Sequence, residues 1–242
     1  LYYYLNLYMY QKIKKNRDNV DKVFNSVYDK YDIMNDIMSL GAHRIWKRDL
    51  VEWMSPNKND LLIDVASGSG DIAKIFSEKI NNNCSVFCVE PNKKMLNTGK
   101  KKLEAYKNIK WYNNYAEKLP FSDNTFDLYS ISFGLRNTSD INKSLSEAFR
   151  VLKPGGKFYC LEFSKVENET INFFYKRYSK ILPKIGGLVV GDSAPYEYLV
   201  KSIDNFYNQN ELTEIMNNAG FDSIECRNLL YGVAAIHRGW KI

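Results

Sequence analysis

A chain of 242 residues with 45% hydrophobic content is long and apolar enough to build one domain around a sizeable core. A net charge of +6 permits contact with an anionic surface without demanding one. Four cysteines are too few for a disulfide scaffold of this length, none has a CxxC–His spacing for metal, and no apolar segment reaches the ~20 residues that span a bilayer.

Residues 1–10 are tyrosine-rich and interrupted by Asn6, with no basic region before them; they match neither a secretory signal nor a transit peptide. The chain opens at Leu1 rather than Met, which leaves room for sequence upstream. Lys12, Lys14, Lys15 and Arg17 form one basic cluster, and Lys100, Lys101, Lys102, Lys107 and Lys110 another. The ordinary reading of both is a solvated face. Residues 18–54 have a helical pattern, with Val20, Val23, Phe24, Val27, Tyr28 and Tyr31 recurring at three and four, until Pro56 and the polar stretch 57–60 close it.

Leu61-Leu62-Ile63-Asp64-Val65 reads as a buried parallel strand. It breaks into Ala66-Ser67-Gly68-Ser69-Gly70, and Asp71 then opens a segment of helical spacing. Gly68 and Gly70 let backbone approach a ligand where a Cβ would intrude, and the helix start offers unpaired N–H groups. The turn fits the loose dinucleotide fingerprint, with Glu90 near the ribose position. A pyrophosphate wants an uncompensated helix N-terminus, whereas Asp64 and Asp71 bracket this one. Two carboxylates suit a cationic ligand, such as the ammonium and sulfonium of S-adenosylmethionine.

Residues 85–89 form a second strand, ending at Glu90-Pro91 and leading into a Met95/Leu96/Leu103 helix. Cys84 and Cys88 are too far apart along extended chain to bridge and read as reduced core residues. Residues 109–112 and 126–132 are a third and a fourth strand, and a helix follows through Leu145 and Phe149. Pro154-Gly155-Gly156 reads as a turn before a fifth strand, 157–163. Strand alternating with helix predicts a doubly wound parallel sheet. Residues 165–208 depart from that alternation, with an aromatic helix (Phe173, Phe174, Tyr175, Tyr178), a break at Pro183…Gly186-Gly187, and a further segment 195–203. They read as an inserted cap over the C-terminal edge of the sheet. The aromatic stripe is either ordinary core or a prenyl groove. A helix 211–219 stops at Gly220, and 221–230 with 233–238 form a closing strand pair around Gly232.

Two stretches resemble a known family. Tyr31-Asp32-Ile33-Met34-Asn35-Asp36-Ile37-Met38-Ser39-Leu40-Gly41-Ala42-His43-Arg44-Ile45-Trp46 is similar to the N-terminal signature of the ubiquinone/menaquinone biosynthesis C-methyltransferases. Arg150-Val151-Leu152-Lys153-Pro154-Gly155-Gly156, running on to Leu161-Glu162-Phe163-Ser164, resembles their second signature. Ile131-Ser132-Phe133-Gly134-Leu135-Arg136-Asn137 and His237-Arg238-Gly239-Trp240-Lys241 are also similar. The resemblance runs from about Val20 to the end of the chain. It implies an α/β, Rossmann-like class I S-adenosylmethionine-dependent methyltransferase fold, seven-stranded with helices on both faces and an antiparallel last strand. It further implies methylation of a ring carbon on a polyprenylated quinol, with cofactor contacts at Asp64, Gly68, Ser69, Gly70, Glu90, Tyr115, Ala116 and Ser132. The adenine loop departs from the pattern: Tyr115 stands before Ala116-Glu117 where members usually carry Asp or Asn, so either the Ala116 backbone and a neighbouring Asn make the contact or adenine specificity is looser. The wording of residues 160–168 resembles the mitochondrial members. That implies a peripheral protein on the matrix face of the mitochondrial inner membrane, with a quinone-biosynthesis multienzyme complex as partner and a homodimer as a compatible state.

A sulfonium is already a good leaving group, so the protein mainly aligns donor and acceptor. A neutral quinol carbon is a poor nucleophile, and loss of a ring hydroxyl proton, with a pKa of about 10 like tyrosine, makes it a strong one. The site therefore needs a proton acceptor or a cation that stabilises the phenolate, and the reaction requires no metal. Arg136, past the fourth strand, is the candidate cation, with an ion pair holding its loop as the structural alternative. His43, one of two histidines with His237, is the candidate base, against a structural hydrogen-bonding role; Tyr31 is the candidate for orienting a quinol oxygen. The competing functions at this point are a demethylmenaquinol methyltransferase, an NAD-dependent Rossmann oxidoreductase, and a non-catalytic subunit that binds lipid or partner proteins. A nucleic-acid binder is disfavoured, because the lysine clusters lack the interleaved motif of an RNA-binding module.

Overall fold

The computed structural model describes Val23, Asn25, Tyr28 and residues 31–242; the first basic cluster and the tyrosine-rich start lie outside them. The N-terminal helical pattern resolves, over the described residues, into α1 (Tyr31–Ser39) and α2 (His43–Met54). Leu40 and Gly41 separate the two, with φ of 51° and 78°. Met34 and Met38 of α1 and Trp46, Leu50 and Met54 of α2 supply the buried stripe expected of an amphipathic helix. Trp46 packs its ring 6.4 Å from Phe133 and 6.3 Å from Phe163. That contact pins α2 over the C-terminal end of the sheet.

From there strand and helix alternate: β1 (Leu62–Val65), α3 (Asp71–Lys79), β2 (Val86–Val89), α4 (Lys93–Lys102), β3 (Ile109–Tyr112), β4 (Phe126–Ser132), a short 3-10 turn at Leu135–Asn137, α5 (Ile141–Val151) and β5 (Leu152–Phe163). The helices begin where side chains cap them. Asn92 accepts from the amides of Lys94 and Met95, and Asp140 accepts from that of Lys143, each satisfying donors the helix start would leave open. Then come α6 (Glu169–Val190), α7 (Ala194–Asp204), α8 (Gln209–Asn218), β6 (Asp222–Leu229) and β7 (Ala234–Trp240). One seven-stranded sheet has the order β3-β2-β1-β4-β5-β7-β6. β1 to β5 run parallel, and β7 is antiparallel to both β5 and β6. The expected fold class, with its antiparallel last strand, is therefore the one found.

Alternation along each strand divides the core between the two faces of the sheet. Leu62 and Leu128 join Trp46, Phe76, Leu182 and Tyr196 on one face. Ile63 and Tyr129 join Leu145, Ala148, Leu212 and Met216 on the other. Cys84, Cys88 and Cys160 are buried free thiols, while Cys226 on β6 is exposed.

Two sequence expectations are corrected. Pro154-Gly155-Gly156 is not a turn ahead of β5 but an irregularity inside it, since Phe126 pairs with Leu152 and the next pair is Leu128 with Lys157. The extra residues bulge toward the chain end, where the Gly155 amide donates to the Lys241 carbonyl at 2.6 Å; bulges absorb insertions in this way. Nor do Pro183, Gly186 and Gly187 break the cap helix. α6 runs through all three to a left-handed Gly191, and Gly186 is there for packing, because a Cβ on it would overlap the Tyr196 ring of α7. The cap does reach the C-terminal edge of the sheet, where the Tyr198 hydroxyl of α7 donates to Asn137 Oδ1 at 3.0 Å.

Gly186→Ala should therefore cost about 1–3 kcal/mol of stability, the usual penalty for forcing atoms into a packed contact. A urea melt reads it directly, and an unchanged midpoint would remove the α6–α7 crossing from the account of the cap.

Candidate active site

The sheet order reverses between β1 and β4, and in such folds the crevice for a ligand lies beyond the carboxyl ends of those strands. A cleft opens there, lined by Asn35 and Lys47 from the N-terminal helices, Asp64 and the Ala66–Ser69 turn, Asp71 and Ile72 of α3, and Ser132 with Phe133 after β4. The turn is held by Glu90, a buried carboxylate at the end of β2. One of its oxygens accepts from the Gly68 amide at 2.8 Å, the other from the Asn92 amide at 2.9 Å. These two bonds fix the direction of the carboxylate beside the turn. Gly70 has a φ of 86°, and a Cβ on it would sit 2.6 Å from Leu103 and 2.9 Å from Trp111. A glycine here is therefore also required by the packing of α4 and β3 against the turn.

The two carboxylates that bracket the turn both line the cleft but differ in their pairing. Asp71 is bridged by Lys47 at 2.7 Å and by Lys102 at 2.8 Å. Burial raises its carboxyl, but the two ammonium groups outweigh burial and hold it well below the usual carboxylate range. Asp64 stands apart. The Ser130 hydroxyl donates to its Oδ1 at 2.6 Å, and its Oδ2 is buried with no hydrogen-bond partner among the described residues. Burial pushes Asp64 up to about 7, against the Ser130 bond and the Lys47 charge.

Asn35 Nδ2 and Ser132 Oγ are likewise buried without a hydrogen-bond partner among the described residues, and both residues line the cleft. An open carboxylate oxygen, an amide donor and a hydroxyl, beside a lysine, make a donor–acceptor set that fits the amino-acid and nucleoside ends of S-adenosylmethionine. Ser69 also lines it and accepts from Lys102 at 3.2 Å.

The remaining expected residues sit around this cleft rather than on its wall. Tyr115 is half-buried and Ala116 buried in the loop after β3, which Glu117 fastens to the start of α5 by accepting from Ser139. The neighbouring Asn113 donates its amide to the carbonyls of Glu90 and Pro91. Arg136 is buried at 1% exposure and ion-paired with Glu162, and it donates to the Phe133 carbonyl at 2.8 Å. Its guanidinium also lies 5.4 Å over the Phe163 ring. His43, one helical turn before Lys47, contacts Asp36 through Nε2 at 2.9 Å. Arg44 grips the same carboxylate with two donors at 2.8 and 2.7 Å. His43 Nδ1 is buried without a partner. Burial and the Lys47 charge lower the His43 pKa, with Asp36 opposing. Tyr31 opens α1, but its side chain lies outside the described residues. His237 lies on β7 against the Gln209 carbonyl, away from the cleft.

Asn35, Lys47 and Glu162 were missed as site residues. Asn35 lies inside the N-terminal motif and Lys47 follows it directly, at helical spacing from His43, so a wheel of α2 would have placed both groups on one face. Nothing local marks Glu162, because its partner is 26 positions away.

This sheet, with its switch-point cleft, defines the S-adenosylmethionine-dependent methyltransferase class. Two solved structures share the fold: a methyltransferase of Thermotoga maritima described as a possible histamine N-methyltransferase (TM-score 0.66, 17% identity, covering 92% of this chain and 100% of that one), and one from Aquifex aeolicus (TM-score 0.61, 18% identity, 86% and 98%). The ubiE/COQ5 methyltransferase family matches residues 10–241. Ubiquinone/menaquinone biosynthesis C-methyltransferases UbiE of Rickettsia bellii and Rickettsia prowazekii are each 48% identical, over 242 residues (96% of this chain, 97% of that protein) and 230 residues (92% of each). The chain belongs to the ubiE/COQ5 methyltransferase family.

The site makes two stability predictions. An acid whose folded pKa exceeds its unfolded value stabilises the fold below the unfolded pKa and loses that contribution as pH rises through the folded one. Asp64 should thus make the ligand-free protein lose stability from pH about 4, the unfolded value, to about 7. Asp64→Asn should flatten that slope in melts taken across the range; an unchanged slope places its cause elsewhere. Glu162→Gln should cost about 3–5 kcal/mol by leaving Arg136 buried without its charge partner. The paired change Arg136→Met with Glu162→Leu should recover most of that loss in denaturant melts.

Proposed function

We propose that this enzyme methylates a ring carbon of a polyprenylated benzoquinol in ubiquinone biosynthesis. The observation that carries the reading is the 48% identity, across nearly the whole chain, to enzymes named for quinone C-methylation. Those names include menaquinone, so demethylmenaquinol is the second substrate to test. S-adenosylmethionine supplies the activated methyl group when bound, and the chain's own residues supply its seat: Asp64 with its open oxygen, Ser69, Ser132 and the Glu90-braced turn, with Tyr115 and Ala116 toward adenine.

The protein's remaining task is to make the quinol oxygen anionic while keeping water out. We assign the proton to His43. A carboxylate at Nε2 accepts, which places the imidazole proton there and leaves Nδ1 as the basic atom. Burial holds the ring in the neutral form a base needs. Arg136 is proposed to stabilise the developing phenolate, with Glu162 fixing its orientation and moderating its charge; Tyr31 is proposed to orient the quinol oxygen.

The proposal extends to place and partners. A prenylated substrate favours a peripheral protein on a membrane, and no helix among the described residues is long and apolar enough to cross one. The resemblance of residues 160–168 supports the matrix face of the mitochondrial inner membrane; the relatives named above are bacterial and do not bear on it. A homodimer within a quinone-biosynthesis complex belongs to the same proposal, and cross-linking in purified organelles tests it.

Purified protein should transfer methyl to a short-chain benzoquinol; transfer only to a naphthoquinol would replace the first substrate with the second. Glu90→Ala should weaken S-adenosylhomocysteine binding by about 2–3 kcal/mol in calorimetry, the scale of a pair of charge-assisted hydrogen bonds. Arg136→Ala should lose about 10²–10³ in turnover, as oxyanion donors do, with cofactor affinity kept. His43→Ala should lose rate and abolish a limb of the pH–rate profile below the ordinary histidine pKa. If it lowers only the melting temperature, the structural role of that histidine stands instead.

A further inference from the structure

The aromatic helix of the cap divides its side chains in a way no core requires. Ile171, Tyr175 and Tyr178 of α6 pack against the core, and Leu182 is fully buried. Phe173, Phe174 and Ile181 are instead 53%, 65% and 51% exposed. Lys176, Arg177, Lys180 and Lys184 are exposed beside them. At 100° per residue all seven fall on one arc. The cations group around Phe173, and Ile181 with Phe174 form the adjoining apolar edge. The helix holds no acidic residue after Glu169 in its first turn. Arg177 lies 4.6 Å over the Phe173 ring, so the aromatic and basic groups form one surface.

The apolar edge continues onto the N-terminal helices. Tyr178 donates its hydroxyl to the Ile37 carbonyl of α1. Ile33 on that helix and Leu40 at its end are 45% and 79% exposed. Single exposed apolar residues are ordinary on a protein surface; adjacent phenylalanines continued by isoleucine and leucine across two helices are not.

We infer that α6, with the neighbouring edge of α1, is the face by which the protein sits on an anionic bilayer. Phe173, Phe174 and Ile181 enter the boundary between headgroups and acyl chains, and the four cations meet lipid phosphates, the pattern of an interfacial amphipathic helix. A second copy of the chain is the poorer occupant. A two-fold interface sets the same patch against itself, which would bring four cations on one copy against four on the other with no acidic partner on either helix.

This placement deepens the proposed quinol reading. α1 presents Asn35 to the cleft and Ile33, two residues earlier and roughly opposite on the wheel, to the docking face. A substrate with a lipid tail would then reach the cleft along a helix already at the membrane.

Flotation of the full chain tests the inference, with vesicles of phosphatidylcholine alone and of phosphatidylcholine mixed with phosphatidylglycerol, at low and high salt. The wild type should partition to the anionic vesicles about tenfold or more above the neutral ones, and added salt should release it. F173S/F174S/I181S and K176E/K180E/K184E should each lose about tenfold or more of that partition. Both should keep the wild-type melting temperature and S-adenosylhomocysteine affinity. F174W should blue-shift its emission on anionic vesicles. Wild-type partition in either triple variant, or unmoved F174W emission, overturns the assignment in favour of another surface, the N-terminal basic cluster included. A triple variant that turns a dimer into a monomer with partition unchanged overturns it in favour of an interface between copies. Partition is read without substrate, so it is decided apart from the quinol assay.

Discussion

The site depends on one buried carboxylate that ties together the backbone around it. By accepting from Gly68 and Asn92, Glu90 joins the turn after β1 to the start of α4, two segments that share no strand pairing of their own. The consequence runs around the cleft. Asn92 caps α4, and Lys102 at the end of α4 reaches Asp71 at the start of α3. Asp71 in turn holds Lys47 of α2. Each link fixes a helix end to the same turn, so the backbone that must meet a cofactor is set before one arrives. Preorganisation of this kind keeps the ordering cost out of binding.

The same ring of contacts sorts the charges. Asp71 is neutralised by the two lysines that it positions, and its charge is then used in architecture. Asp64, one strand end away, keeps one oxygen open because only Ser130 answers it. A buried carboxylate with an open oxygen is costly when ionised, and its raised pKa expresses that cost. A cationic group brought beside it removes the penalty, so the cost borne by the empty site becomes selectivity for a positively charged ligand over a pyrophosphate. That argument separates the methyltransferase from the dinucleotide reading better than the glycine spacing does, since Gly70 answers to Leu103 and Trp111.

Much of this was legible in the chain. The run from Leu61 through the glycine turn to Asp71 dictated strand, turn and helix by local pattern, and the limits of β3 and β4 followed from apolar runs bounded by polar residues. What could not be read was whatever depends on distant partners. Asp71 looked like half of a cationic-ligand site because Lys47 and Lys102 lie 24 and 31 positions away. Gly186 looked like part of a helix break because its reason, the Tyr196 ring, sits on the next helix. Pro154-Gly155-Gly156 had turn chemistry and was absorbed by a bulge. Propensity yields to tertiary packing in each case.

The chemistry proposed for Arg136 would share its side chain with a structural role. Its burial against Glu162 and the Phe133 carbonyl fixes the turn after β4, the strand that ends with Ser132 on the cleft wall. A guanidinium paired with a buried carboxylate offers little net charge, yet its donors stay aimed, and a site in low dielectric gains more from fixed donors than from free charge. Phenolate formation beside that turn would shift the balance of the pair toward the substrate oxygen without moving either residue. Pairing with Glu162 thus keeps a buried cation tolerable in the empty enzyme and still lets it answer a new anion, which a solvent-exposed arginine with its screened charge could not do.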